Sequence, residues 1–483
     1  MRIAVLQPSY RGSTSAIAGL DTRRDLTALL PGHEVEHVFL DKPTVNRDVR
    51  RLRADVVVNL CDGAWDEDTP GVEVVQALER EAMAFTGAGS AFYDPTRVAM
   101  KQACGSQGIG TPAYVVARDA RGAEEALDRL RLPCFVKPEH GYNSVGVTAQ
   151  SRVETATALR ERVEAVIAEF GGALVEEYIA GREVSVLVAS HPAGGAPIVY
   201  PPVECLFEPG VPFKTFDYKW RASRNPWVRC GDPDLASRLE AATALMFTGL
   251  GGTGYARSDI RVTEDGRLFV LELNPNCSLF YPDDNGATAD VILAFAGEKA
   301  QFVRDQLDFA LWRREQKRPR WVVKLDPLRG HGIYATRDLA AGEAIYALEE
   351  RPHVLVTRSH VERTWDAARR ELFRRYAWPI TDETWVMWSD DPAEWRPINH
   401  ACDPNAWVTG LDLRARRPIA AGEEITLDYA TMLADGALDE PCTCGPGCRG
   451  GWRGDDCRQP WFRERYGEHV TDYIRQRVVW SNP

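Results

Sequence analysis

Lysine is scarce in this chain of 483 residues, with eight lysines against fifty arginines. Each lysine has been kept against a strong compositional bias, so its position carries information. A basic excess is also missing: 58 Lys and Arg stand against 70 Asp and Glu, for a net charge of −12. A nucleic-acid partner would call for a basic stripe, and none is evident. No apolar run approaches the ~18–20 residues of a membrane span, so no membrane partner is expected. The opening MRIAVL is too short and too strand-like for a secretory leader, which makes the cytoplasm the expected compartment. The 11 cysteines are an odd number, spread along the chain. They read as reduced thiols with one metal cluster rather than as a disulfide framework. Internal repeats and low-complexity tracts are absent.

What is there is ordinary globular material, 44% apolar and 27% charged. The length suggests about three to four structural units. Of the 14 tryptophans, four precede Trp321 and ten lie from Trp321 onward. Just before that shift, residues 312–320 (WRREQKRPR) are almost wholly charged and read as a helix end followed by a linker. A boundary near residue 320 follows. Upstream, MRIAVLQ, VEHVFL and ADVVVNL read as short buried strands alternating with helices, an open α/β sheet up to about residue 95. PCFVKP, ALVEEYI, EVSVLVA, DIRV and LFVLELN then read as strands of a more antiparallel sheet, with a helix over 154–170.

Chemistry first gathers at residues 134–147, CFVKPEHGYNSVGV. A strand carrying Lys137 runs into a loop with Gly141 and Gly146, where a lysine beside flexible glycines can cover phosphate groups. The stretch 251–274 is more specific. Arg257 and Asp259 stand two apart on one strand, and Glu272 and Asn274 repeat the spacing on the next, so each pair shares a face. A hairpin turn at Glu264–Gly266 sets Arg257 beside Asp259, Glu272 and Asn274. Hard oxygen ligands of this kind suit Mg²⁺ on nucleotide phosphates.

Residues 1–310 resemble the ATP-grasp carboxylate–amine ligases of the D-alanine–D-alanine ligase type. VVVNLCDG and FTGAGSAFYDPTRVAMK look like that family's first lobe and its first nucleotide lysine, Lys101. FVKPEHGYNSVG looks like the second lysine, Lys137, with the phosphate-covering loop of Gly141, Ser144 and Gly146. LVEEYIAGRE looks like the hinge, where the resemblance implies that Glu176, Glu177, Tyr178 and Ile179 face adenine and Glu183 the ribose hydroxyls. It also implies Lys219 or Arg221 as a phosphate-binding cation, Arg257 as the catalytic arginine of the tetrahedral intermediate, and Asp259, Glu272 and Asn274 as magnesium ligands. The implied chemistry is acyl phosphate formation from ATP, followed by attack of an amine. Two departures stand out. LQPSYRGSTS lacks the acidic residue the family places after its first strand, and the loop reads YNS in place of a serine pair. Both argue for altered substrate pockets and against D-alanyl-D-alanine as the product.

After residue 321 the motifs change. GHGIYAT holds Gly330 and Gly332 just after a strand, NHACDPNAW reads as a structured polar loop, and GEEITLDYA alternates into Tyr429. Cys442, Cys444 and Cys448 cluster in CTCGPGC, a spacing of metal ligands, with Cys402 or Cys457 able to supply a fourth. In this order the motifs resemble the SET-domain methyltransferases over residues 321–470. The resemblance implies S-adenosylmethionine binding by Gly330, His331, Gly332, Tyr334, Asn399 and His400. It implies Tyr429 as the catalytic tyrosine and a post-SET structural Zn²⁺ on Cys402, Cys442, Cys444 and Cys448.

The expected architecture is a three-lobed α/β ATP-grasp ligase followed by a mainly β SET domain with a post-SET zinc-binding segment. Its parts are an N-terminal α/β lobe at 1–95, an ATP-grasp domain at 96–311, a linker at 312–320, the SET domain at 321–438 and a post-SET segment with tail at 439–483. The expected function is a bifunctional biosynthetic enzyme. One half joins a small-molecule carboxylate to an amine using ATP and Mg²⁺. The other N-methylates an amine using S-adenosylmethionine, with a homodimer as an open option. The alternatives are a protein-lysine methyltransferase whose ligase-like half recruits its target, and a ligase with a non-catalytic SET docking module.

Overall fold

In the computed structural model the chain divides into two compact units, Met1–Lys317 and Arg318–Pro483. The structure describes residues 1–477 apart from 16, 17, 19, 20, 65, 66, 142, 143, 217–225, 283–286, 328, 329, 347–353, 388–395, 435–437 and 446. Among the described residues, no helix is long and apolar enough to cross a membrane.

The first unit is built on three sheets. Strands Arg2–Pro8, Glu34–Leu40 and Val56–Asn59 form a parallel sheet with Arg2–Pro8 in the middle. Its continuous apolar runs follow from covering both faces: Ile3 and Val5 enter one buried cluster, Ala4 and Leu6 another. A second, antiparallel sheet joins Tyr114–Ala117, Ala173–Glu177, Cys134–Pro138 and Arg152–Val153. The helix Ala156–Phe170 starts at an N-cap, Thr155, whose side chain accepts the Ala158 N–H, and stops at Gly171 with φ +79°. It buries Leu159, Val163 and Val166, one face at spacings of four and three.

The third sheet carries Val203–Cys205, Arg182–Ala189, Tyr255–Val262 and Leu268–Pro275, all antiparallel. The last two strands form the expected hairpin, closed where Gly266 N–H donates to the Thr263 carbonyl (2.9 Å). Their register sets Arg257 opposite Asn274 and Asp259 opposite Glu272, with a bulge after Asp259. The helix Lys299–Lys317 runs into the span read as a linker. Arg313 holds it there: this buried side chain donates to the carbonyls of Gly87 (3.0 Å) and Phe85 (2.5 Å).

The second unit is assembled from short strands. Trp321–Asp326, Gly330–Ala335 and Glu424–Leu427 pair antiparallel, and Asn399–His400 joins the last of these in parallel. One core lies beneath Ile333, Ile345, Val408, Leu413 and Ile425. Another gathers Phe373, Trp385, Trp452, Phe462 and Tyr466. Trp378 and Trp385 are packed into these cores, whereas Trp388 and Trp395 lie outside the described residues.

Candidate functional sites

In the first unit two lysines converge on one carboxylate. Glu176 faces Phe135 across the sheet, and Lys137 stands two residues further along, on the same face. Its Nζ lies 2.8 Å from one Glu176 oxygen, and Lys101 Nζ, from the helix Arg97–Ser106, lies 2.5 Å from the other. All three side chains are buried. Lys101 also donates to Thr111 Oγ1 and to the Pro112 carbonyl, both at 3.2 Å, which fixes its direction. Burial raises the affinity of Glu176 for a proton, but Lys137 and Lys101 outweigh it and bring the group down to about 2. The cluster keeps one positive charge in excess and so attracts a polyanion.

Glu176→Gln leaves two buried ammonium groups without an anion, at a cost of about 3–5 kcal/mol. The wild-type advantage is fully present above the unfolded carboxyl value of 4.5 and is lost as pH falls toward about 2. Denaturant midpoints of the two proteins should therefore differ clearly at neutral pH and converge in strong acid. An equal gap at both would refute this account.

The remaining hinge residues are dispersed. Glu177 points to the opposite face and accepts the Arg131 N–H (3.0 Å). Tyr178 donates its hydroxyl to the Pro212 carbonyl (3.2 Å), and Ile179 is half-buried. Glu183 is held on both oxygens, by Lys214 (2.8 Å) and Arg261 (3.1 Å). In the loop expected to cover phosphates, Gly141, Ser144 and Gly146 all have positive φ. A Cβ on Gly146 would meet Pro138 Cγ at 2.5 Å, so only glycine closes the loop this tightly. Lys219 and Arg221 lie outside the described residues.

The hairpin brings the acidic row together. Arg257 forks onto Asp259, Nε to Oδ1 at 2.9 Å and Nη2 to Oδ2 at 2.8 Å. Ser185 donates to Asp259 Oδ1 (2.7 Å), and Asn274 Nδ2 reaches Asp259 Oδ2 (3.1 Å) and Glu272 Oε1 (3.3 Å). Burial pushes Asp259 up, and Arg257 more than reverses that, holding it down at about 2. Two carboxylates and a carboxamide thus meet at hydrogen-bond distances, a donor set of oxygens that fits magnesium once the amide presents its oxygen.

Two cations at this site escaped the sequence reading. Arg97 donates to the Pro138 carbonyl at the root of the loop (2.6 Å) and lies 3.9 Å from Glu272. The available signal was its place one helical turn before Lys101. Lys214 was marked only by the scarcity of lysine.

In the second unit, Asn399 Nδ2 bridges Glu424 Oε1 (2.7 Å) and the His331 carbonyl (3.2 Å). Gly332 makes room for this: a Cβ there would lie 2.6 Å from Glu424 Oε1 and 3.0 Å from Asn399 Nδ2. Gly330 turns with φ +79°, and Lys324 Nζ sits 5.3 Å above the Tyr334 ring. The glycines thus stand at the start of the strand Gly330–Ala335 rather than in a free turn, and the close backbone beside paired polar groups suits a cationic ligand such as S-adenosylmethionine. Tyr429 donates its hydroxyl to the Ile398 carbonyl (2.6 Å), while its N–H points to His400 Nδ1 (3.3 Å). Burial pushes the phenol up to about 12, so it stays protonated.

A metal-ligating group adjoins this tyrosine. The ligand atoms of His400, Cys402, Cys442 and Cys444 all lie within 4.8 Å of one another. Cys448 stands beside them, its thiol directed to the Cys442 carbonyl (3.0 Å). Soft sulfur and imidazole donors at such spacings fit Zn²⁺. Cys402 rather than Cys457 joins the group; Cys457 is packed in the apolar core. His400, read from sequence as a cofactor residue, is drawn into it. Arg449 ties the cluster to the tyrosine. Its N–H donates to Cys402 Sγ (3.4 Å), and its guanidinium bonds Asp428 (2.6 Å) and the Tyr466 hydroxyl (2.8 Å). Asp428 in turn caps the short turn that begins at Tyr429.

Comparison with known proteins agrees with this division. The family model described as D-ala D-ala ligase C-terminus matches residues 105–279, and the SET domain model matches 330–430. An uncharacterized protein of Sinorhizobium fredii is 32% identical over 274 residues, 55% of this chain and 78% of its own length. A D-alanine–D-alanine ligase of Anaeromyxobacter sp. is 31% identical over 249 residues, 50% of this chain and 76% of its own length. Among solved structures, a D-alanine–D-alanine ligase from Bacillus anthracis complexed with ATP superposes with a TM-score of 0.51. It is 20% identical and covers 66% of this chain and 99% of its own.

Proposed function

The chain belongs to the D-alanine–D-alanine ligase family and carries a SET domain, and from that premise we propose a bifunctional enzyme: an ATP-dependent carboxylate–amine ligase joined to an S-adenosylmethionine-dependent N-methyltransferase. The observation that carries the reading is the hairpin register, Arg257 against Asn274 and Asp259 against Glu272, beside the two buried lysines.

In the ligase half, Lys101, Lys137 and Arg97 receive the polyphosphate, and the loop of Gly141, Ser144 and Gly146 closes over it. Asp259, Glu272 and Asn274 would hold magnesium, which supplies charge neutralisation at the transferring phosphoryl group. Arg257 would stabilise the oxyanion that develops on the acyl carbon. Glu176 keeps the two lysine ammonium groups in register with each other. The substrates are a small carboxylic acid and an amine; the products are an amide, ADP and phosphate. Purified protein given ATP, Mg²⁺ and an amino-acid panel should release ADP in an amino-acid-dependent way. No release above background with any member would sink the ligase reading.

In the SET half, Asn399, Glu424 and the strand start at Gly330–Gly332 would hold S-adenosylmethionine, which would supply the methyl group. Tyr429 orients the incoming amine, and the apolar surroundings strip its water. A zinc on Cys402, Cys442 and Cys444, with Cys448 or His400 completing the set, would brace that tyrosine through Arg449 and Asp428. Tyr429→Phe removes the hydroxyl that fixes the ring to Ile398 and should lower methyl transfer on the order of a hundredfold. Tritium counting from labelled S-adenosylmethionine, over protein and small-molecule fractions, measures it; an undiminished rate would make Tyr429 a packing residue.

A further inference from the structure

Beyond the carboxyl ends of parallel strands lies the crevice in which open α/β sheets hold ligands. Strands Arg2–Pro8 and Val56–Asn59 are parallel and end on one such edge, and Asp62 stands three residues past Asn59. Its loop is rigid. The buried Tyr93 hydroxyl lies between the carbonyls of Cys61 (3.2 Å) and Gly63 (3.1 Å), on either side of Asp62. The loop also closes on itself so tightly that a Cβ on Gly71 would fall 1.9 Å from the Gly63 carbonyl oxygen.

Ser278, from the far end of the unit's sequence, donates to Asp62 Oδ2 (3.2 Å). Ser278 follows Asn274 by four residues, on the chain leaving the acidic row. Cys277, its neighbour, lies within electrostatic range of Arg257, Asp259 and Asp62 alike. Asp62 is therefore fixed between that edge and the proposed reaction centre.

Its charge is unbalanced. The guanidinium of Arg24 is 1% exposed and pairs with Asp21 (3.3 Å), which also accepts from Tyr10 (2.8 Å) and Tyr281 (2.5 Å). That commits Arg24 elsewhere and leaves its buried Nε without a partner, a donor for a ligand oxygen to complete. Asp62 itself has no ion pair among the described residues, and it keeps part of its surface exposed. Burial raises it to about 6 against the pull of Arg24, so at neutral pH it is an anion with an unusually strong affinity for a proton.

We propose that Asp62 receives the attacking amine of the ligation, an aliphatic ammonium ion, and takes from it the proton that must leave before nitrogen can attack. This rests on the ligase reading above. The ammonium R–NH₃⁺ gives one proton to the Asp62 carboxylate and frees its lone pair. Nitrogen then bonds to the acyl carbon, the C–O bond to phosphate breaks, and phosphate departs with that electron pair. Phosphate also carries off the second nitrogen proton, and the amide is left neutral. Asp62 afterwards returns its proton to solvent.

Hydroxylamine separates this role from the alternatives, because it is neutral near pH 7 and needs no base. Wild type and Asp62→Asn, both as full chains, are given ATP, Mg²⁺ and each of the common amino acids and D-alanine, with and without hydroxylamine. Hydroxamate, amide and ADP are read by mass spectrometry. Asp62→Asn should keep hydroxamate formation within about threefold of wild type and lose amide formation by on the order of a hundredfold. Equal loss of both products would assign Asp62 to the carboxylate substrate or to folding and overturn the proposal. No loss of either would also overturn it. A wild type that makes neither product refutes the ligase reading itself, and the proposal with it.

Discussion

Replacing Glu272 with glutamine should lower ATP-dependent amide formation on the order of a thousandfold, about 4 kcal/mol of barrier. The change keeps size and shape and removes one hard anionic donor from the proposed magnesium set. Few contacts hold Glu272 in place, since Asn274 approaches at 3.3 Å and Arg97 only at 3.9 Å. The fold should therefore survive, and the melting temperature should move little. Asp259→Asn makes the informative contrast. Asp259 is forked by Arg257 and capped by Ser185, so its loss also strands a buried guanidinium, at about 3–5 kcal/mol of stability. The first variant should be inactive and stable, the second inactive and weakened. ADP release and denaturant midpoints measured together test both; an active Glu272→Gln protein would remove Glu272 from the metal site.

The second large effect concerns the cysteine cluster. Cys444→Ser should release the metal and loosen residues 439–453. That segment owns only two three-residue strands, Asp439–Pro441 and Gly451–Arg453, too little sheet to hold itself. The binding energy of a structural zinc, about 10–16 kcal/mol in small zinc domains, is what organises such a ribbon. Disorder would reach the tyrosine, because Cys402, Arg449 and Asp428 are joined through hydrogen bonds and Trp452 stands 5.5 Å from the Tyr429 ring. Expected results are a zinc content near zero by elemental analysis, altered tryptophan fluorescence and at least tenfold weaker S-adenosylmethionine binding. Wild type treated with a chelator should match the variant. Unchanged metal content would remove Cys444 from the ligand set.

Much of this was legible in the sequence, for a physical reason. Strand periodicity alone places Arg257 with Asp259 and Glu272 with Asn274, and the turn between them fixes the pairing. Cys442 and Cys444 are close in sequence, so their proximity needs no fold. Arg97, Lys214 and Asp62 were not read, because each acquires its partner only from another segment: Glu272, Glu183 and Ser278 lie far along the chain. His400 was read as a cofactor residue, yet its ring faces Cys402 at 3.4 Å, a contact set by how the loop folds back. The hinge run Glu176–Ile179 shows the converse. Alternation sends Glu176 to the lysines and Glu177 to Arg131, so one continuous motif serves two faces.

The hairpin register limits how this chain can vary. Side chains on paired strands change face with every residue, so a slip of one turns a whole row over. Deleting or inserting a single residue within 263–267 would carry Glu272 and Asn274 to the wrong side of the sheet, away from Arg257 and Asp259. Substitutions at the exposed Glu264 and Asp265 leave that pairing intact. Apart from Gly266, whose φ of +79° favours glycine, the turn is thus free in composition and fixed in length, and a collection of viable variants should contain many replacements at 264 and 265 and no gaps.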